Sequence, residues 1–391
     1  MLFNTTREDR FSMLSRAMPG AFLSPSPPGF AGGEGGVRED WSSHVPNPPH
    51  PALSPAKPGE RVEEGIGLAG ETPNTRRASN IAISALLFLA SLLAFIHFES
   101  KVTAAEKHDG KLRIIVFGAH PDDAELKAGG TAMLWAKLGH HVKFVSVTNG
   151  DIGHWQIKGE ELAKRRLAEV KAADKQLGVE AEVLPIHDGE LEPTLENRRT
   201  ITRLIRGWKA DIVIAHRPWD YHPDHRYVGV LVQDAAFMVT VPFFCPDTPA
   251  LAQNPVFLYS SDGFQKPYPF RPDVVVAIDE VLERKIDALH ELESQIYEGG
   301  ANGSAEFVRS VPPASDAEAR KAWLRRSDWG TRNAAEANRF RDQLVRWYGE
   351  ERAKSVKHAE AFEVCEYGRR PNAEELGRLF PFFEKKDGTK P

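Results

Sequence analysis

Residues 112–123 have the sequence LRIIVFGAHPDD, in which an apolar, β-branched run leads into a histidine and two aspartates. A run such as Leu112 to Gly118 is typical of a strand that is buried on both faces of a parallel sheet. His120 follows this run after a single residue. The stretch therefore predicts a buried strand whose end delivers His120, Asp122 and Asp123 to the edge of a sheet.

A second stretch later in the chain repeats this arrangement. Residues 210–215 (ADIVIA) are again apolar and β-branched, and a loop leads from them to the cluster His222-Pro223-Asp224-His225. Because the strands of a parallel sheet point the same way, the loops that follow them gather at one edge, where open α/β sheets bind ligands. The two clusters are therefore expected to meet in space.

Strand-like and helix-like patterns alternate along the chain, which is typical of βαβ units with right-handed crossovers. Further strands are predicted at 141–147, at 182–186 as an edge strand because of Pro185, and at 273–278. Helices are predicted at 131–138, 160–177, 195–208 and 281–297, and in two pieces within 316–348 around a loop at 328–330. The predicted class is α/β, a Rossmann-like three-layer fold with a mostly parallel central sheet and the active site at the C-terminal ends of the strands.

The two clusters contain the side chains that a hydrolytic metal site needs. A catalytic zinc ion takes three protein ligands and keeps a fourth position for water, whose pKa it lowers. Two imidazoles and one carboxylate supply three ligands, and the other carboxylate of the Asp122 and Asp123 pair can accept a proton. Spacing alone does not decide which aspartate binds the metal. One His-Pro-Asp tripeptide is most often a turn, but two at strand ends favour a metal site.

Residues 118–125 (GAHPDDAE), followed by Gly129-Gly130-Thr131, resemble the signature of the PIG-L/LmbE-like zinc-dependent N-deacetylases. The resemblance covers about 111–297, with shorter matches at 148–153, 166–178, 187–189, 222–225 and 285–295 and a further one at 359–362. It implies the LmbE-like fold and a hydrolase that removes an acetyl group from an N-acetylglucosaminyl compound or related amide through a zinc-activated water.

The resemblance also implies roles for individual residues. The implied ligands of Zn²⁺, or of another divalent metal such as Fe²⁺, are His120, Asp123 and His225. Asp122 would be the general base, His222 would stabilise the oxyanion or protonate the leaving amine, and Asp224 would orient His222. The residues that align with sugar-binding positions of the family are Asp151, Arg166 and Asp188.

Several of these residues have ordinary alternatives. Arg166 could be a solvated helix arginine, and Asp151 and Asp188 could be turn residues. The histidines without a partner at ligand spacing are expected at the surface or in ordinary packing: His140, His141, His154, His187, His216, His290 and His358. The Pro-rich, aromatic stretch 241–255 is expected either to border the pocket or to form a rigid surface loop without a ligand role.

The N-terminal third differs in composition from the rest. Residues 1–75 are rich in Pro, Gly and Ser and are expected to be a disordered low-complexity segment, preceding the true translation start. Residues 76–105 combine a basic pair, an apolar run and small residues, which predicts a signal peptide or a signal anchor with membrane anchoring through 81–98. The deacetylase-like domain, 106–391 with a C-terminal helical elaboration, is then expected outside the cytoplasm, either periplasmic, extracellular or membrane-anchored.

Composition and residue content argue against several classes of function. The formal charge of −5 gives no basic footprint for nucleic acid. The resemblance implies a small-molecule or glycan partner that carries an N-acetyl group. Homo-oligomer formation and pairing of Cys245 with Cys365 are left open. A phosphoester hydrolase would commonly need two metals and more carboxylates. A non-catalytic carbohydrate-binding relative would be expected to lack the base or a ligand. A hydrolase of another amide or ester is the third alternative to an N-deacetylase.

Overall fold

The computed structural model of the chain describes residues 109–383. The segments 1–75 and 76–105, including the apolar run within 81–98, lie outside the described residues, so their assignments stay predictions. Within 109–383, no helix combines the length and the apolar character that crossing a membrane requires.

A central seven-stranded sheet organises the described part of the chain. Its strands are β1 (Arg113–Gly118), β2 (His141–Thr148), β3 (Glu180–Ile186), β4 (Ile212–Ala215), β5 (Val256–Ser260), β6 (Val274–Ala277) and β7 (Ala359–Gly368). Their order is β3-β2-β1-β4-β5-β7-β6, and β7 runs in the direction opposite to the other six strands. The predicted mostly parallel α/β sheet is confirmed, and β3 lies at an edge as predicted.

Helices cover both faces of this sheet. They are α1 (Asp123–Lys137), α2 (Gly159–Leu177), α3 (Leu195–Trp208), α4 (Pro223–Met238), α5 (Leu282–His290), α6 (Glu293–Ile296), α7 (Ala305–Ser310), α8 (Ala317–Arg326), α9 (Asp328–Arg339), α10 (Arg341–Tyr348), α11 (Glu350–Ser355) and α12 (Ala373–Leu379), with a 3-10 turn at Gly300–Asn302. Apolar residues of α1, α2 and α5 pack on one face, and those of α3 and α4 pack on the other. The fold therefore has the predicted three layers.

The apolar run of β1 explains why this strand lies inside the sheet. Ile114 and Val116 belong to the core on one face, whereas Ile115 and Phe117 belong to the core on the other. All four side chains are buried. An unbroken apolar run is what a strand covered by helices on both faces requires.

Helix α1 begins at Asp123, eight residues before the predicted start at 131. Gly129 and Gly130 argue against a helix on propensity alone. A Cβ at Gly130, however, would lie 2.8 Å from the Ile278 side chain, so close packing requires glycine there. The consequence for the site is that Asp122 and Asp123 lie at a helix N-terminus rather than in an open loop.

Other elements also depart from the predictions. The helix predicted at 281–297 is two helices, α5 and α6, and the region 316–348 holds three helices rather than two. The loop predicted at 328–330 is the first turn of α9, which the Ser327 hydroxyl caps by accepting the Gly330 N–H at 3.4 Å. Strands β5 and β7 were not predicted as strands. Cys245 and Cys365 are buried and form no disulfide with each other.

The Pro-rich stretch 241–255 does not line the cavity described below. It is held by Arg206, a side chain of α3 that is only 2% exposed. The Arg206 guanidinium donates at 2.5 to 3.0 Å to the backbone carbonyls of Met238, Val239, Val241, Phe244, Cys245 and Thr248. This stretch is therefore a rigid surface loop, the second of the two alternatives.

A buried ion pair connects the C-terminal strand β7 to helix α1. Lys285 Nζ lies 2.7 Å from Glu360 Oε1, and both residues are almost completely buried. Glu360 also accepts the backbone N–H groups of Gly130 at 2.8 Å and Thr131 at 2.7 Å. Lys285 donates to the carbonyl of Leu126 at 2.8 Å. The pair thus fixes the helix that begins with the aspartate cluster.

We expect Glu360→Ala to lower the free energy of unfolding by about 3–5 kcal/mol, because it leaves a buried lysine without its counter-ion. Urea unfolding measures the change. The control is Glu374→Ala, which removes the exposed 2.7 Å pair with Arg378 and should cost at most about 1 kcal/mol. Losses of equal size in the two variants would contradict the role given to Glu360.

Candidate metal and active site

The two histidine and aspartate clusters meet at the C-terminal ends of neighbouring strands. β1 and β4 pair in parallel, with Val116 opposite Ile214. His120 follows β1 after one residue, and His225 lies in the first turn of α4, which follows β4. His120 Nδ1 lies 3.2 Å from His225 Nε2. The sheet therefore brings distant residues into direct contact, as the strand argument predicts.

Three atoms of these clusters form a triangle of the size that a metal ion requires. They are His120 Nδ1, Asp123 Oδ2 and His225 Nε2, which are separated by 3.2, 3.4 and 3.5 Å. Ligand atoms about 2.0–2.2 Å from a tetrahedral zinc ion lie roughly 3.3–3.6 Å apart. Two imidazoles and one carboxylate are also the donor types that Zn²⁺ takes. These three residues therefore fit the ion that the resemblance implies.

Backbone groups fix the orientation of Asp123. Its Oδ2 accepts the N–H groups of Ala119 at 3.0 Å and His120 at 2.8 Å. Its side chain packs against Gly118, where a Cβ would lie only 2.7 Å from the Cβ of Asp123. The glycine that ends β1 is therefore needed for the close approach of this carboxylate.

Two more carboxylates hold the outer nitrogen of His120. His120 Nε2 lies 3.1 Å from Asp188 Oδ1 and 3.3 Å from Asp224 Oδ2. Burial would lower the pKa of His120, but these carboxylates and that of Asp123 outweigh it and raise the pKa well above its usual value. A metal-ligating histidine commonly donates its other N–H to a carboxylate, which fixes the ring. Asp188 and Asp224 supply such partners.

The contact of Asp224 differs from the expected one. Its carboxylate accepts the N–H groups of Gly189 at 2.7 Å and Leu191 at 3.3 Å and faces His120 rather than the His222 ring. His222 is oriented instead by the backbone N–H of Asp224, which donates to His222 Nδ1 at 3.2 Å because His222 caps α4. The neutral His222 ring therefore carries its proton on Nε2.

Two residues outside the predicted site complete the cluster. His216, expected in ordinary packing, stacks on His225 at a centroid distance of 4.2 Å and lies 3.4 Å from Asp123 Oδ2. Its Nε2 accepts the Ala119 N–H at 3.2 Å, the same donor that Asp123 Oδ2 accepts at 3.0 Å. His216, Asp123 and His225 are therefore a second possible group of ligands. Asp220 Oδ1 lies 3.1 Å from His225 Nδ1. Both residues lie in the loop between β4 and the second cluster.

The two adjacent aspartates have opposite electrostatic environments. Burial, together with the neighbouring Asp123 carboxylate, raises the pKa of Asp122 to about 6. Burial also acts to raise the pKa of Asp123, but His225 and His216 outweigh it and hold the pKa well below its usual value. Such a separation is typical of a proton-transferring carboxyl beside a permanently ionised one. It distinguishes the two aspartates, which spacing alone does not.

The three aligned polar residues have different positions. Arg166 is 3% exposed, donates to the Gly153 carbonyl at 2.5 Å and lies 3.9 Å from Asp188, so it is no solvated helix arginine. Arg166 and Asp188 line the cavity. Asp151 does not line it; its carboxylate bonds to His187 Nδ1 at 2.6 Å and accepts the Asp188 N–H at 3.1 Å. Asp151 therefore positions Asp188 instead of facing the cavity.

A cavity of about 790 Å³ opens beside the ligand triangle. Near the triangle it is lined by Asp122, His222, Arg166, Asp188 and Gln295, and by residues 299–302. Another part is lined by residues 261–264 and by Lys127, Trp329, Arg332, Ala335, Glu336 and Arg339. The cavity therefore combines a possible reaction centre with space for a ligand of several rings.

Comparison with known proteins identifies the family. Residues 115–236 match the family described as GlcNAc-PI de-N-acetylase, PIG-L. The chain is 33% identical over 192 residues to diacetylchitobiose deacetylase of Thermococcus kodakarensis, covering 48% of this chain and 71% of that protein. The chain belongs to the PIG-L/LmbE-like family. The resemblance inferred from the sequence is thus confirmed.

The chain is also similar to a protein named for a different reaction. The chain is 25% identical over 184 residues to 4-oxalmesaconate hydratase of Pseudomonas putida, covering 45% of this chain and 70% of that protein. The crystal structure of GalB, the 4-carboxy-2-hydroxymuconate hydratase of Pseudomonas putida, has a TM-score of 0.50 at 19% identity and covers 67% of this chain and 99% of that chain. At this level of identity, the similarity to the GalB structure shows a shared fold.

In this PIG-L family member, a buried carboxyl pair lies behind the site between α1 and α2. Glu125 and Asp174 are each 1% exposed, and no other residue within 109–383 donates a hydrogen bond to either side chain. Burial raises the pKa of Glu125 to about 8, and burial together with Glu125 raises the pKa of Asp174 well above its usual value. At neutral pH the pair therefore retains at least one proton, which the two groups share.

This pair predicts a pH dependence of stability. The native pair keeps protons that the unfolded carboxyls release, so its contribution to the free energy of unfolding is complete below the usual pKa near 4.5 and falls as pH rises toward about 8. Each retained proton gives a slope of at most about 1.4 kcal/mol per pH unit. Asp174→Asn supplies a permanent N–H donor to Glu125, so we expect a shallower decline than in the wild type.

Urea unfolding at several pH values measures this slope. The matched control is Glu161→Gln, which neutralises an exposed carboxylate on the same helix and should leave the wild-type slope unchanged. If the free energy of unfolding of Asp174→Asn falls with pH as steeply as that of the wild type, then the pair of Glu125 and Asp174 does not hold the proton.

Proposed function

We propose that this protein is a metal-dependent N-deacetylase that removes the acetyl group from an N-acetylated amino sugar. The observation that carries the proposal is the triangle of His120, Asp123 and His225 with Asp122 beside it in one cavity. The relationship to diacetylchitobiose deacetylase supports the choice of substrate class. The hydratase relative is less similar, which favours hydrolysis over hydration.

His120, Asp123 and His225 would hold the metal. Zn²⁺ suits this donor set best, and Fe²⁺ is the alternative that imidazole and carboxylate ligands also accept. When bound, the ion supplies Lewis acidity, which polarises the amide carbonyl and lowers the pKa of water. Asp188 and Asp220 would keep the two histidine rings in place, since each holds the nitrogen that faces away from the triangle.

Asp122 and His222 would perform the proton transfer and charge stabilisation. Asp122, with its pKa of about 6, is ionised at neutral pH and can take a proton from the attacking water. It can then deliver this proton to the leaving amine. His222 presents an Nε2–H donor because Nδ1 is occupied by the Asp224 N–H. Such a donor stabilises the developing oxyanion by about 3 kcal/mol.

Arg166 and Asp188 would bind the sugar hydroxyls. Both line the cavity, and the Arg166 guanidinium lies 3.9 Å from the Asp188 carboxylate. Charged groups in this arrangement can form hydrogen bonds to hydroxyl groups. Asp151 would act indirectly, because its carboxylate accepts the backbone N–H of Asp188 and so fixes the position of that residue.

We expect Asp122→Asn to retain bound metal but to lose at least about a hundredfold of the amine release from N-acetylated amino sugars, because it removes the general base. Metal content and an amine-release assay with N-acetylglucosamine and diacetylchitobiose, each with and without a chelator, measure both properties. Asp342→Asn is the control, since it changes an exposed aspartate in the first turn of α10. It should match the wild type in both assays.

Three outcomes would contradict the proposal at different points. Amine release at the wild-type rate by Asp122→Asn would show that Asp122 is not the general base. Amine release that survives complete removal of the metal would exclude a metal-dependent mechanism. Bound metal without amine release from any sugar would exclude the deacetylase activity and make hydration of an unsaturated carboxylate the next reaction to assay.

A further inference from the structure

One part of the cavity wall is cationic and aromatic, and most of it lies outside the residues 115–236 that match the family. It comprises Lys127 from α1 and Trp329, Arg332 and Arg339 from α9, with Phe264 from the loop after β5. We call Lys127, Trp329 and Arg332 the Arg332 wall. These residues share the cavity with the ligand triangle, so a molecule bound at the triangle can reach them.

The acidic groups near this wall already have partners. Asp262 is bound by the buried Arg217 through two contacts of 2.6 Å. Glu336 accepts a hydrogen bond from the Ser261 hydroxyl, and burial raises the pKa of Glu336. Residues outside the wall therefore hold both carboxylates, and within the described residues neither forms an ion pair with Arg332.

Arg332 differs from the other cations of this region in having no hydrogen-bond partner. Within residues 109–383 its guanidinium forms no hydrogen bond or ion pair, and it lies 5.8 Å from the centre of the Trp329 ring. Lys127, in contrast, donates to the Ser261 carbonyl at 2.6 Å. Two cations that share a cavity repel each other, and a bound anion would offset that repulsion. Guanidinium groups bind carboxylates and phosphates through paired, charge-assisted hydrogen bonds.

We propose that the Arg332 wall binds a negatively charged group of the substrate. The inferred substrate class is an N-acetylated amino sugar that carries a carboxylate or a phosphate, which deepens the proposed function and rests on it. Trp329 provides an apolar ring face beside the charge, a surface that suits contact with a sugar ring. The same cavity would then hold the N-acetyl group at the triangle and the anion at Arg332.

The chain provides a matched control for Arg332. Arg346 on α10 lies over the Trp347 ring at the same distance of 5.8 Å, and it is exposed and outside the cavity lining. Arg332→Gln and Arg346→Gln therefore remove the same charge and the same type of ring contact. Only the first variant changes the cavity.

The test compares kcat/KM for N-acetylglucosamine, N-acetylglucosamine 6-phosphate and N-acetylmuramic acid with the metal-loaded protein. We expect the wild type to prefer an anionic substrate, and Arg332→Gln to reduce the ratio of anionic to neutral kcat/KM by about ten- to a hundredfold, as expected for loss of charge-assisted hydrogen bonds. Arg346→Gln should leave every rate unchanged. The phosphorylated sugar and the carboxylated sugar distinguish the two kinds of anion.

The inference is overturned if the wild type shows no preference for either anionic sugar, or if Arg332→Gln lowers all three rates by the same factor. A calorimetric comparison of glucosamine 6-phosphate with glucosamine separates this inference from the proposed function, because neither sugar contains an amide to hydrolyse. If no sugar is deacetylated but the phosphorylated one binds more tightly in an Arg332-dependent way, the proposed function fails and the anion site stands. Equal binding of the two sugars, with no change in Arg332→Gln, refutes the site.

Discussion

The parallel pairing of β1 with β4 is the constraint on which the site depends. The segment after each strand contains one of the two histidine and aspartate clusters. The register between β1 and β4 places His120 Nδ1 3.2 Å from His225 Nε2. A shift between the strands would separate the histidines and open the triangle with Asp123. The helices on the two faces hold this register, and the buried pair of Lys285 and Glu360 secures α1, which contributes the aspartate. Stability and chemistry therefore rest on the same core.

The charges of the site explain why so many acidic groups can lie together. Asp123, Asp188 and Asp224 lie around His120, and each also accepts a backbone hydrogen bond or faces a cationic partner. Burying unpaired carboxylates is unfavourable, so an acidic cluster of this kind needs positive charge at its centre. A divalent cation at the triangle would supply that charge. Asp122, with its pKa of about 6, is the one placed to exchange a proton near neutral pH.

The parts of the fold that local pattern determines could be predicted from the sequence. The apolar runs predicted β1 and β4, and the paired clusters predicted their meeting. The start of α1 could not be predicted, because Gly129 and Gly130 lower helix propensity and only the packing against Ile278 accounts for Gly130. His216 was missed for a similar reason: its contact with His225 depends on the path of a loop, which no spacing rule reveals. The antiparallel strand β7 likewise pairs with strands far away in sequence.

A crystal structure of the zinc-loaded protein, with anomalous diffraction recorded at the zinc absorption edge, tests the metal site directly. We expect one strong peak about 2.0–2.2 Å from His120 Nδ1, an Asp123 carboxylate oxygen and His225 Nε2. A peak among Asp123, His216 and His225, or one displaced toward Asp188, would assign the metal to another group of ligands. Absence of a peak from the whole cluster in crystals soaked with excess zinc would show that these histidines and aspartates do not form a metal site.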